Sequence, residues 1–129
     1  MKKDIEGLHD IKLFVNEFYS RVQKDEVLSP IFYQHIPGDW QPHLDRMYQF
    51  WNAALFGEKG YIGNPFAKHA TMPLTKEHFD RWLYWFNQTI DNFFMGSVCD
   101  DAKKRAKIMA NTFHGRLSQI GYDGAKTIV

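Results

Sequence analysis

Apolar side chains recur at spacings of three and four residues near the start of the chain. Between residues 8 and 24 they are Leu8, Ile11, Phe14, Val15, Phe18, Tyr19 and Val22. This period predicts an amphipathic helix with one buried stripe. Residues 25–32 predict a short turn and a stub of helix, because the residue that precedes a proline, here Pro30, avoids helical backbone angles.

A second long helix is predicted from about Trp40 to Phe56. A breaker at residues 36–38 precedes it, Asp39 suits the N-cap position, and Gly57 stops it. One face of this helix carries His43, Met47, Phe50, Trp51, Ala54 and Leu55. A histidine therefore heads an otherwise apolar stripe.

Two more helices are predicted in the second half of the chain. The first begins at Thr75, and we expect it to be the most buried helix, because its apolar face is wide. That face comprises Phe79, Trp82, Leu83, Trp85, Phe86, Ile90, Phe93 and Phe94. Gly96 and Ser97 break this helix, and the last one runs from about Val98 to Ile120. The inward positions of the last helix are Ala102, Ala106, Met109, Ala110, Phe113, Leu117 and Ile120.

The complete pattern predicts an all-α protein, since no stretch shows the alternation of a β-strand. At 129 residues the chain has the usual length of one domain, which we expect to span residues 1–129. Its ends, residues 1–7 and 122–129, are expected to be frayed tails.

The loop over residues 60–75 separates the second and third long helices. It is rich in Gly and Pro and carries His69 on a short segment. Such a placement allows an imidazole to be aimed inward at a ligand. From spacing alone, a surface histidine beside Lys68 is the simpler explanation.

Composition adds one positive indication and several exclusions. Aromatic residues make up 16% of the chain, which suggests that something large and apolar shares the core. A net charge of +1, with both signs interspersed, predicts binding neither to nucleic acid nor to an anionic membrane. Cys99 is the one cysteine, so an internal disulfide or a cysteine-based zinc site is excluded. Without an apolar run of membrane-spanning or signal-peptide length, we expect a soluble cytoplasmic protein.

Four residues from four segments could together carry chemistry: Tyr19, His43, His69 and Trp82. Each of them alone is more often a structural residue. Jointly they offer one iron ligand and three hydrogen-bond donors in a chain rich in aromatics, which is the composition of a haem pocket.

These residues and their neighbours resemble the truncated haemoglobins, and specifically the third group of that family. The resemblance spans about Leu13 to Phe113, and the paired-glycine motifs of the first two groups are absent. The resembling pieces are Phe18-Tyr19, Asp25, Leu28–Phe32, Trp40–Leu44, Phe50-Trp51, Tyr61–Pro65, Lys68-His69, Pro73-Leu74 and His78–Leu83.

The resemblance implies a two-over-two helical sandwich that holds haem b, iron protoporphyrin IX. It implies that His69 is the proximal iron ligand and that Tyr19 and Trp82 are distal donors to a bound ligand. His43 matches the distal histidine, and both a swinging gate and a sixth iron ligand remain open for it. Other positions match the haem surroundings: Phe32 wedged against the ring, Met47, Phe50, Trp51 and Phe79 as pocket walls, and Lys68 as partner of a propionate.

The function implied is reversible binding of dioxygen and other diatomic ligands. With two distal donors we expect tight oxygen binding and chemistry with nitric oxide or peroxide, supported by an unidentified reductase. Carbon monoxide is a further expected ligand. A gas sensor or store without turnover uses the same pocket and stays open, so whether the chain is an enzyme is undecided. A helical module without haem is the other alternative. A di-iron bundle and a Ser-His-Asp hydrolase lack their motifs.

Overall fold

The computed structural model describes residues 2–58 and 74–120, with the backbone alone over residues 113–120. Five α-helices fill these ranges, and no strand occurs within them. The predicted all-α class is confirmed. The helices are α1 (Leu8–Lys24), α2 (Leu28–His35), α3 (Gln41–Phe56), α4 (Lys76–Phe93) and α5 (Ser97–Ile120). Over the same ranges, none of them combines the length and the apolar character needed to cross a membrane.

Helix α1 is the centre of the packing, and its bounds are those predicted from the apolar period. It contacts α2, α3 and α4, while α4 also packs along α5. Seven residues of α1 are buried, against four of α4, so the expectation that α4 would be the most buried helix is wrong. The reason is that two tryptophans of α4 are not fully covered by the core. Trp82 lines a pocket, Trp85 donates a hydrogen bond to Asp25, and both rings are partly exposed.

The stub predicted over residues 25–32 is a complete two-turn helix, α2. Pro30 lies in its first turn, where the missing N–H would have no intrahelical partner in any case. Asp25 caps this turn, because its Oδ1 accepts the amide N–H groups of Val27 at 2.8 Å and Leu28 at 2.9 Å. A side chain outside the helix thus offsets a sequence that locally resists helix formation.

The other helix ends lie within one residue of their predicted positions, except that α4 ends at Phe93, and Ser97, predicted with Gly96 to break it, is the first residue of α5. Helix α3 starts at Gln41, and its amide donates to Asp39 Oδ1 at 3.0 Å. Gly57 ends α3 in the left-handed region, with φ 69°, and its N–H donates to the Ala53 carbonyl. The predicted stop at Gly57 is confirmed.

The N-terminal segment is packed onto the junction of α4 and α5. Asp4 accepts the amides of Val98 at 2.9 Å and Cys99 at 2.8 Å, and Ile5 is 2% exposed. The backbone of Lys3 is held as well, since its carbonyl accepts the Met95 N–H at 2.9 Å. We call these contacts of residues 3–5 the N-terminal clasp. Residues 2–7 therefore differ from the frayed tail expected, because tertiary hydrogen bonds hold them.

The core below the pocket is built from aromatic rings of α1, α3 and α4. Trp51 stacks on Phe86 with ring centroids 5.1 Å apart, and Phe14 meets both rings edge-on, at 5.9 and 5.8 Å. Stacked and edge-to-face pairs are the favoured geometries of such rings. Three helices are thereby fixed relative to one another under the site described next.

Candidate functional site

A pocket lies between all five helices, above the aromatic core. Its empty volume is about 650 Å³ with open solvent at the mouth included. The lining is almost entirely apolar. It consists of Phe18, Tyr19, Leu28, Phe32, Met47, Phe50, Trp51, Leu74, His78, Phe79, Trp82, Met109 and Ala110.

One wall of the pocket is a rigid set of rings. Trp82 stacks on Phe86 with centroids 5.7 Å apart, because residues four apart on a helix share a face. Phe18 of α1 meets Trp82 edge-on at 5.5 Å and an interplanar angle of 88°. The position of the Trp82 indole is therefore set by packing from two helices.

The Tyr19 side chain places a hydroxyl in this apolar wall. Tyr19 is 5% exposed, and burial raises its pKa far above the ordinary value of a phenol, although a hydrogen bond with Trp82 acts in the opposite direction. Tyr19 is therefore neutral at physiological pH and keeps its proton. The indole of Trp82 offers a donor only, and the neutral tyrosine hydroxyl also carries a proton that it can donate.

The structure places His43 beside the pocket and not on its lining. Its ring packs edge-on against Tyr19, with centroids 4.9 Å apart, and against Trp40 at 6.0 Å. Trp40 in turn stacks on the pocket residue Phe32 at 6.4 Å. The histidine is thus in direct ring contact with the distal tyrosine.

At the other side of the pocket, His78 belongs to the first turn of α4. Thr75 and His78 form a capping box, in which the Thr75 N–H donates to His78 Nδ1 at 2.9 Å. Burial lowers the pKa of His78, against the opposing influence of the Glu77 and Asp25 charges. A neutral imidazole is the form that this cap requires.

A buried carboxylate fixes α4 beside the pocket. Asp25 accepts a hydrogen bond from the Trp85 indole N–H at 2.7 Å and forms an ion pair with Arg81 at 3.0 Å. Its side chain is 1% exposed. Burial alone would raise the pKa of Asp25, but the hydrogen bonds from Arg81, Trp85 and two backbone amides outweigh it and hold that pKa well below its ordinary value.

The structure brings together most of the residues that were predicted for the site. Those on the pocket lining are Tyr19, Phe32, Met47, Phe50, Trp51, Phe79 and Trp82. His69 and Lys68 lie outside the described residues, so their assigned roles stay predictions. Six lining residues were not singled out as pocket residues by the sequence, although Met109 and Ala110 were placed on the inward face of the last helix. They are Phe18, Leu28, Leu74, His78, Met109 and Ala110.

Comparison with known proteins identifies the kind of fold that builds such a pocket. Residues 3–115 match the family described as bacterial-like globin. The chain belongs to this family. The globin is 30% identical over 125 residues to the group 3 truncated hemoglobin ctb of Campylobacter jejuni, a match that covers 94% of this chain and 98% of that protein.

A solved structure extends the same comparison to three dimensions. The crystal structure of the group III truncated hemoglobin from Campylobacter jejuni matches this globin with a TM-score of 0.86, at 30% identity and with coverage of 94% and 98% of the two chains. The resemblance to the third truncated group and the truncated globin fold predicted from the sequence are both confirmed.

Membership of a globin family implies a haem cofactor and the binding of diatomic gases. The described residues fit that group, because they form an apolar slot with a neutral buried tyrosine and an indole N–H on one wall.

Proposed function

We propose that this globin holds haem b and binds dioxygen, nitric oxide and carbon monoxide reversibly, with Tyr19 and Trp82 as the donors to the bound ligand. The observation that carries the proposal is the buried Tyr19 hydroxyl, which shares with the Trp82 indole a pocket that is otherwise almost entirely apolar.

The cofactor surroundings follow from the lining and the family. In this proposal His69 is the iron ligand, Lys68 pairs with a propionate, and the faces of the ring are enclosed by Phe32, Met47, Phe50, Trp51 and Phe79. Haem iron, when bound, supplies an open coordination position for a diatomic ligand.

The two donors act as a pair on whatever occupies the pocket. Tyr19 and Trp82 both place a donor on the pocket lining, and the apolar residues around them exclude water that would compete for these donors. A ligand that carries partial negative charge is stabilised most, because hydrogen bonds to charged groups are about twice as strong as neutral ones. The two donors therefore raise the affinity for dioxygen more than the affinity for carbon monoxide.

Tight retention of dioxygen suits chemistry at the site better than transport. Nitric oxide and dioxygen combine with one electron to give nitrate, and a reductase would supply that electron. As an alternative to the reaction with nitric oxide, we propose a reaction with peroxide. The cytoplasmic location expected from the sequence stays a prediction.

For His43 we propose the role of a gate rather than that of a sixth iron ligand. Its ring packs against Tyr19 and Trp40 beside the pocket. Rotation of the half-buried His43 ring is a small motion compared with a helix shift, so it can control access to the pocket while Tyr19 stays in place.

The test of the cofactor is the visible absorption spectrum of the protein in the ferric, ferrous and carbon monoxide forms, for the parent and for His69→Ala. We expect a strong Soret band in the parent and its loss, or a shift to a weakly ligated form, in the variant. A haem-reconstituted parent without a Soret band would overturn the proposal. A six-coordinate ferrous spectrum that becomes five-coordinate in His43→Leu would overturn the gate.

The test of the donors is the dioxygen dissociation rate of Tyr19→Phe and Trp82→Phe. Loss of a hydrogen bond to a charged acceptor should raise this rate by about tenfold to a hundredfold. Tyr84→Phe is the matched control, because it removes the hydroxyl of a tyrosine that is 54% exposed and lies outside the pocket lining. Unchanged rates in both pocket variants would show the distal assignment to be wrong.

A further inference from the structure

His78 combines two positions that are seldom found in one side chain. Its ring lines the pocket, and the same ring caps the helix that carries Trp82. At the third position of a capping box the usual residue is Glu or Gln. A carboxylate would serve the cap equally well, so the cap alone does not explain a histidine at residue 78.

The cap determines which ring nitrogen carries the proton. His78 Nδ1 accepts the Thr75 N–H at 2.9 Å, and the Thr75 hydroxyl lies 2.9 Å from the same nitrogen. A nitrogen that accepts an N–H cannot itself be protonated, so in the neutral ring the proton is on Nε2. His78 therefore presents a donor on the edge of the ring away from Thr75.

The chemistry of the pocket indicates what this donor serves. Among the described lining residues, side-chain N–H or O–H groups belong to Tyr19, Trp82 and His78. The first two are hydrogen-bonded to each other, whereas His78 lies one helical turn before Trp82 on α4 and is half-buried. The positive end of the α4 dipole also lies at this turn, which favours an anion there. A partly exposed donor at a positive helix end suits a carboxylate.

We propose that His78 is a further cofactor-binding residue, which donates a hydrogen bond from Nε2 to a haem propionate. The inference rests on the proposed function, since a haem must be bound. It adds a described residue to the cofactor contacts, and it explains why a histidine replaces the usual capping residue.

The matched variants are His78→Gln and His78→Glu, which have the same shape and both retain an oxygen that can accept the Thr75 N–H. Gln keeps a donor, while Glu has none and adds a negative charge. Each protein is reconstituted with haem, and the rate of haem transfer to an excess of a haem-scavenging apoglobin is measured. We expect haem loss from the Glu variant to be about tenfold to a hundredfold faster than from the Gln variant.

The second arm removes the acceptor from the cofactor. Reconstitution with haem dimethyl ester neutralises both propionates, so the difference between the Gln and Glu variants should shrink to about twofold or less. Equal haem loss from the two variants with ordinary haem would overturn the inference. So would a difference that persists undiminished with the ester.

A role of His78 in capping alone is tested by urea unfolding of the two apoproteins. If His78 only caps α4, the Glu variant should be at least as stable in urea as the Gln variant, because a carboxylate is favourable at a helix N-terminus. Haem loss from the Glu variant should then be equal to, or slower than, haem loss from the Gln variant. If the Glu variant does not fold, His78→Met, which also lacks a donor, takes its place in both arms. Absence of a Soret band in the parent contradicts the proposed function, whereas a normal Soret band with equal rates contradicts only the role of His78.

Discussion

Two aspartates form anchoring contacts near the two ends of α4, and their partners differ. Asp25 ties the first half of the helix to the corner between α1 and α2, through Arg81 and Trp85. Asp4 ties the N-terminal segment to the start of α5, just beyond the far end of α4, through backbone amides of Val98 and Cys99. Both carboxylates also satisfy amides in the first turn of a helix.

The difference lies in charge compensation. The Asp25 side chain is almost completely removed from water and has a cation beside it, whereas Asp4 is half-buried and is held largely by neutral amides. Burial of an isolated charge is strongly unfavourable, so a carboxylate in the interior needs a cation as well as hydrogen bonds. At partial exposure, amide donors suffice.

The two anchors also differ in their distance from the pocket along α4. Arg81 directly precedes the pocket residue Trp82, and Trp85 follows it by one turn. We therefore expect damage at Asp25 to reach the ligand site and damage at Asp4 to remain a matter of stability.

The largest effect is expected from Asp25→Ala. This change leaves the Arg81 and Trp85 donors and two backbone amides without their acceptor, and should lower the free energy of unfolding by about 3 kcal/mol. Urea unfolding of the holoprotein measures it. Asp80→Ala is the control, because its exposed ion pair with Lys76 should contribute about 0.5 kcal/mol or less. Equal effects of the two changes would contradict the distinction drawn between buried and exposed carboxylates.

A smaller effect is expected from Gly96→Ala at the other anchor. Gly96 has φ 133°, and a Cβ there would lie 2.5 Å from Cγ of Asp4, so the change should cost about 2 kcal/mol. In an Asp4→Ala background the contacts with Cγ and Oδ2 are removed, whereas the contact with Cβ of residue 4, at 2.8 Å, remains, so the steric part is reduced and the backbone part is unchanged. Thermal unfolding of the two single variants and the double variant gives the coupling between them. Strict additivity would show that Gly96 and Asp4 do not interact.

The Asp4→Ala change alone should cost about 1 kcal/mol, the usual loss when a capping side chain is removed. We expect the dioxygen dissociation rate to be unchanged in this variant and raised in Asp25→Ala. Stopped-flow measurements on both proteins decide this point. A faster rate in Asp4→Ala would mean that the far end of α4 also influences the pocket.

The last expected effect is a change in acid sensitivity, which appears only at low pH. The pKa of Asp25 is lowered in the folded protein, so its contribution is present above about pH 4 and is lost as pH falls toward the folded pKa. Asp25→Asn should therefore flatten the fall of stability below pH 4, by up to about 1.4 kcal/mol per pH unit. The pKa of Asp4 is lowered as well, but no cation assists it, so Asp4→Asn should flatten the slope less. Urea unfolding between about pH 5 and pH 2.5 gives both slopes.

The helices could be predicted from the sequence where the local pattern alone decides them. The bounds of α1 follow from an unbroken apolar period, and Gly57 ends α3 through its own backbone freedom. Helix α2 was underestimated because its cap, Asp25, is held by residues about sixty positions later. The N-terminal clasp was missed for the same reason, since Asp4 finds its partners more than ninety residues away.

The candidate site was predictable to a different degree for different residues. Periodicity put Trp82 and Phe79 on an inward face, but their pocket roles came from the resemblance to a family and not from spacing. His78 was noted only as the first residue of the resembling stretch His78–Leu83 and received no pocket role, because a capping box gives no sign of what the far edge of the ring contacts. The position of His43 beside Tyr19 depends on how α1 and α3 cross, which no local pattern contains.

The thiol of Cys99 can report on local opening, because the Cys99 amide is part of the N-terminal clasp. Cys99 is 1% exposed, its amide is bound by Asp4, and burial raises the pKa of its thiol. A thiol reacts as the thiolate and needs access to the reagent, so modification must wait until the clasp opens. The rate of thiol labelling therefore measures how fast the start of α5 opens locally, and no probe has to be introduced into the chain.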